Sequence, residues 1–119
     1  MQLRLSTRTA GGVKVVDCSG KLVFGEESAA LRDLVKKLIE EKHNRLVLNL
    51  GDVNYIDSGG LGTLVGLYTT AQSTGGALKL ARLTPRVGDL LQVTKLVTIF
   101  EVFDSEEQAI ESFRKGAAA

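Results

Sequence analysis

Apolar and polar residues alternate around Leu3 and Leu5, and the alternation resumes at Val13, Val15 and Cys18 beyond Gly11-Gly12. A period of two on either side of a glycine pair predicts a β-hairpin. Lys21 to Phe24 reads as a further short extended piece. From Glu26 to Lys42 the period changes: Leu31, Leu34, Val35, Leu38 and Ile39 fall on one helical face. Acids lead that segment and Lys36, Lys37 and Lys42 gather late, which complements a helix dipole. Arg45 to Leu50, RLVLNL, is a nearly unbroken apolar run, as a strand covered on both faces requires.

Leu61, Leu64, Val65, Tyr68 and Ala71 mark a second helix, stopped by Gly75-Gly76. Ala77 to Leu83 reads as a strand. Thr84 followed by Pro85 opens a short helix carrying Val87, Leu90 and Leu91 inward. Thr98 to Phe103 reads as the last strand, and Asp104 or Ser105 caps a final helix with Ala109, Ile110 and Phe113 facing inward. Strands alternating with helices imply parallel crossovers, and the opening hairpin makes the sheet mixed. The predicted class is α/β: one domain over residues 1–115, with 116–119 as a small-residue flexible tail.

Composition changes this picture little. A chain of 119 residues, 44% hydrophobic and 24% charged, is that of an ordinary soluble globular domain. Fifteen basic residues stand against 14 acidic ones, so net charge argues for neither nucleic acid nor lipid as a direct partner. No apolar run reaches the roughly 20 residues a membrane-spanning helix needs, so membrane insertion is not expected. Lone Cys18 has no disulfide partner within the chain, which suits a reducing cytoplasm.

Candidate chemistry centres on "NYIDSGGLGTLVGL", Asn54 to Leu67. The glycines do not make a P-loop, because no lysine occurs between Asp57 and Lys79. A dinucleotide loop starting at Gly60 and Gly62 meets Val65 where it needs a third glycine, and a nucleophile elbow meets Ile56 where it needs its first. The one histidine, His43, lies in the charged segment EEKHNR, so a serine-hydrolase base is lacking. A phospho-accepting aspartate at Asp57 would need magnesium-binding acids at the end of the first strand, and none stand there. No metal or cofactor is expected, and by elimination the chain reads as a binding module and not as an enzyme. Ser58 itself reads as a helix N-cap on pattern alone.

A second feature stands beside it. Between Asp57 and Lys79 no Asp, Glu, Lys or Arg occurs. A solvated helix has little reason to avoid charge, so its small neutral side predicts either close packing or a partner surface.

The run from Leu46 through Ile110, with Asp57-Ser58 and Gly60-Leu61-Gly62 at its centre, resembles the STAS domains. Among them it is similar to stand-alone bacterial anti-sigma factor antagonists. Asn49, the Leu83-Thr84-Pro85 step and "IFEVFDSEEQAI" support the resemblance. It implies a mixed sheet with helices packed largely on one side. It also implies a partner switch: the antagonist binds an anti-sigma factor with serine kinase activity, phosphorylation at the position of Ser58 releases it, and a phosphoserine phosphatase restores it. Asp57, Gly59, Gly60 and Gly62 would form the phosphosite turn. Tyr55, Ile56, Leu61, Thr63, Gly66 and Thr70 would be the partner-facing residues.

Two positions depart from the family pattern. Gly59 stands where a second Ser or Thr is common, leaving Ser58 the turn's one hydroxyl. Lys95 stands where Gly commonly ends the third helix, which suggests a differently shaped connection. The alternative implied by the same fold is an unphosphorylated STAS scaffold within a signalling assembly or beside a membrane transport system. The sequence leaves the oligomeric state open.

Overall fold

The computed structural model describes residues 2–118, with side chains described for 2–114. The hairpin forms as expected: β1 (Leu3–Ala10) pairs antiparallel with β2 (Val13–Leu22). Gly11 and Gly12 both adopt positive φ (59° and 79°), the conformation a two-residue hairpin turn of matching twist demands. Lys21 and Leu22 belong to β2, while Val23 and Phe24 lie beyond it as a linker.

The chain then alternates: α1 (Glu26–Glu40), β3 (Arg45–Ile56), α2 (Ser58–Ser73), β4 (Ala77–Ala81), α3 (Pro85–Val93), β5 (Val102–Phe103) and α4 (Glu106–Ala118). The five strands lie in sequence order, with β2 through β5 mutually parallel. Right-handed crossovers between strands laid down in one direction put every intervening helix on the same face. Accordingly α1, α2 and α3 share one core with Leu46, Leu48, Leu50, Leu78 and Leu80 of the sheet. Arg82 has φ of 59°, which ends β4 two residues before the predicted limit at Leu83.

α4 alone covers the opposite face, where Ala109 and Phe113 meet Val13, Val15, Val47 and Ala81. That second core is small, and polar contacts supplement it. Arg8 donates to Asp17 at 2.7 Å and to Glu106, whose carboxylate also accepts from the Asn49 amide at 3.1 Å. The buried Lys79 ammonium reaches Ser112 at 2.7 Å and sits 4.1 Å from the Phe113 ring centre. The start of α4 is a reciprocal cap: Gln108 N–H donates to Ser105 Oγ and the Gln108 side chain accepts from Ser105 N–H. α4 continues past Gly116, where a tail was expected, because alanine favours helix; Ala119 lies outside the described residues.

The last strand is shorter than predicted. Lys95, in the left-handed region at φ 63°, starts a single 3-10 turn over Leu96–Thr98. Phe100 is buried with its ring edge-on to Tyr68, and β5 is confined to Val102–Phe103. The connection after α3 therefore keeps the left-handed step that glycine would adopt, with lysine bearing the strain.

Candidate functional site

β3 runs well beyond its pairing with β4, which ends at Asn49↔Ala81, and continues alongside β2 to Leu22↔Ile56. The predicted strand over Arg45–Leu50 is thus only its first half. Asp57 follows directly, at the tip of the β2–β3 ribbon, and α2 starts at Ser58.

Asp57 is the N-cap of α2. Its Oδ1 accepts from Gly60 N–H at 2.8 Å, and both carboxylate oxygens accept from Phe24 N–H at 3.1 Å. One carboxylate thereby fastens the β2–α1 linker to the first turn of α2. These donors, Gly60 foremost and then Phe24, hold the Asp57 carboxyl below the usual aspartate range, so it is charged at neutral pH. The expectation that Ser58 caps the helix is corrected here. Asp57 has extended backbone and reaches the third helical N–H, whereas Ser58 is already the first helical residue. Ser58 is exposed, and its hydroxyl takes no hydrogen bond among the described residues.

The three glycines of the turn do different things. A Cβ on Gly60 would lie 2.2 Å from the Leu22 carbonyl oxygen, and one on Gly59 would lie 2.5 Å from Phe24 Cβ. Gly59 and Gly60 are therefore demanded by the close passage of the β2–α1 linker. That also explains why no second hydroxyl residue follows Ser58. Gly62 has nothing within 4 Å of such a Cβ and faces open space.

Of the expected partner-facing residues, Ile56 and Leu61 are corrected: both are buried, at 4% and 7% exposure, because they pack into the core beneath the turn. Tyr55 is 39% exposed, with the Arg86 guanidinium 5.2 Å over its ring. Gly66 is exposed, and Thr63 and Thr70 are half-buried. The threonine hydroxyls bond to carbonyls one turn back, Thr63 to Gly59 at 3.0 Å and Thr70 to Gly66 at 2.9 Å. With those hydroxyls satisfied by their own helix, the outer side of α2 is neutral and nearly without free donors.

Sequence reasoning missed Phe24, which is 80% exposed beside Gly59. It also missed an open groove of about 520 Å³ between α1 and α2, walled by Arg32 and Lys36. The one signal for the latter was their i, i+4 spacing on α1. Cys18 lies inside β2, opposite Leu5, and burial pushes its thiol up to about 12, so it is inert packing. Among the described residues no cluster of His, Cys, Asp or Glu could hold a metal ion, and no helix is long and apolar enough to cross a membrane.

The longest strand of a mixed sheet laid down in sequence order thus ends in an aspartate-capped Asp-Ser-Gly-Gly turn. The chain belongs to the STAS domain family, whose model matches residues 4–109. It is 26% identical over 110 residues to the anti-sigma F factor antagonist of Paenibacillus polymyxa, covering 92% of this chain and 94% of that one. It is 35% identical over 81 residues to the anti-sigma-B factor antagonist of Bacillus subtilis, covering 68% and 73% respectively. A crystal structure from Thermotoga maritima, described as a candidate anti-sigma factor antagonist, superposes with a TM-score of 0.81 at 26% identity, over 92% of this chain and 94% of that one.

Proposed function

We propose that this chain is an anti-sigma factor antagonist working by partner switching. Its unmodified form binds an anti-sigma factor with serine kinase activity, which frees the sigma factor. Transfer of the ATP γ-phosphoryl group to Ser58 Oγ, with release of ADP and the hydroxyl proton, then breaks the complex. A phosphoserine phosphatase resets it. The bacterial cytoplasm supplies the ATP and the partners.

The observation that carries this reading is the state of Ser58: an exposed, unbonded hydroxyl on the first residue of α2, on a turn pinned from two sides by Asp57. The names of the Paenibacillus and Bacillus relatives support the partner class. Asp57 acts by shaping the turn, because both its oxygens are engaged by backbone donors.

Magnitudes favour a switch that spares the fold. A phosphate brings about −1.5 to −2 charge to a helix N-terminus, whose dipole favours it by roughly 0.3–2 kcal/mol. A docked partner must instead cover that dianion beside the Asp57 carboxylate. Weakening the complex by only about 2.8 kcal/mol lowers affinity a hundredfold.

The reading is tested by incubating the protein with ATP and each purified anti-sigma factor of its source organism, then mapping phosphate by mass spectrometry. One kinase should modify Ser58 stoichiometrically and leave Ser58→Ala unmodified. Absence of phosphate from Ser58 with every candidate would overturn it.

A further inference from the structure

Together with Gly59, Thr63 and Leu67, the α2 side of the groove between α1 and α2 includes Gly62, Gly66 and Thr70. These last three lie four residues apart, on one line down the helix. A Cβ on Gly62 or Gly66 would meet no atom within 4 Å, so the line is bare and a foreign backbone can approach it closely. The α1 side carries Arg32 and Lys36, one turn apart. Like charges at that spacing repel along the helix. Among the described residues neither takes part in an ion pair, and no acidic side chain lines the groove. At its end stands exposed Phe24 beside Gly59, the residue after Ser58.

We propose that this groove docks an acidic amphipathic helix of the anti-sigma factor, an inference that rests on the partner-switch reading. Charge selects an acidic occupant: two unpaired cations face a trough with no anion to answer them. Backbone chemistry selects a helix. Both walls are helices whose N–H and C=O groups are internally bonded, so an incoming strand finds no ladder to join, whereas a helix satisfies its own backbone. Gly62 to Thr70 spans about 12 Å, a little over two helical turns.

In the docked state carboxylates meet Arg32 and Lys36, and apolar side chains lie on Leu67 and Phe24. The same chemistry explains release. A phosphate on Ser58 places negative charge at the mouth of a groove that receives an acidic helix, and repulsion adds to the cost of covering it.

The test measures affinity, by calorimetry, for the purified anti-sigma factor that phosphorylates this chain. Arg32→Glu with Lys36→Glu should weaken binding on the order of a hundredfold. Gly66→Leu, which fills the trough with a good helix former, should weaken it about tenfold or more. The charge-reversed variant should melt with the wild type and Gly66→Leu no lower, since nothing opposes its gain in helix propensity, and wild-type affinity should fall as salt is raised. If both bind within about twofold of wild type while Ser58→Glu does not bind, the groove is refuted and the switch stands. If Ser58→Glu also binds normally, the switch fails and takes the groove with it. Tighter binding on charge reversal would mean a basic occupant and refute the proposal as well.

Discussion

Asp57 and Ser58 divide the work of the turn: the aspartate builds it and the serine is free within it. The depressed Asp57 pKa fixes the direction of its pH dependence. Its stabilisation is complete above the unfolded aspartate value, about 3.9, and is lost as pH falls through the lower folded value. Asp57→Asn should therefore melt below wild type at neutral pH, with the gap closing in acid as pH falls through the depressed folded value. A gap unchanged in acid would mean the charge is not what matters. Ser58→Glu should keep the wild-type melting temperature, since the hydroxyl holds nothing in the fold, yet lose the partner. The pair was legible in the sequence, but which residue caps was not. Both types cap helices, and only the backbone conformation separates them. Phe24 was illegible for a different reason: its place depends on where the β2–α1 linker crosses α2, a contact 35 residues apart between Phe24 and Gly59.

α2 carries its constraints at one end only. Gly60→Ala should destabilise by about 1–3 kcal/mol, because the new methyl meets the Leu22 carbonyl. Gly62→Ala and Gly66→Ala should stabilise by about 0.5–1 kcal/mol, since nothing opposes the gain in helix propensity. Denaturant unfolding of the three variants distinguishes the cases. At the end of α3, Lys95→Gly should stabilise by about 1 kcal/mol by relieving the left-handed lysine. The helices were readable because each keeps one apolar face over several turns. The last strand was not. Val97, Ile99 and Phe100 look like strand residues, yet the left-handed Lys95 turns the chain into a 3-10 turn and Phe100 goes to the core.

Across the chain, one topological fact organises the rest. Strands in sequence order put α1, α2 and α3 on one face and leave α4 to close the other. The mixed α/β sheet was legible from the alternation of periods; α4's separate face was not, because its inward residues read the same whichever side they meet. Since that face has a small core, the Arg8–Glu106 contact should matter. Arg8, before other donors, holds the Glu106 carboxyl below its ordinary range. Its contribution is thus present above the unfolded glutamate value and disappears as pH falls through the folded one. Glu106→Gln should cost about 1 kcal/mol at neutral pH, a modest figure because solvent screens the part-exposed Arg8. Hydrogen exchange should show that loss first in α4, leaving the Ser58 turn protected as in wild type.

The most direct measurement compares the anti-sigma factor's affinity for unmodified protein with that for protein stoichiometrically phosphorylated on Ser58, alongside the melting temperatures of both. Phosphorylation should weaken binding by about a hundredfold or more while the melting temperature stays unchanged. Equal affinity for the two forms, or lost affinity accompanied by unfolding, would contradict a switch read at the interface.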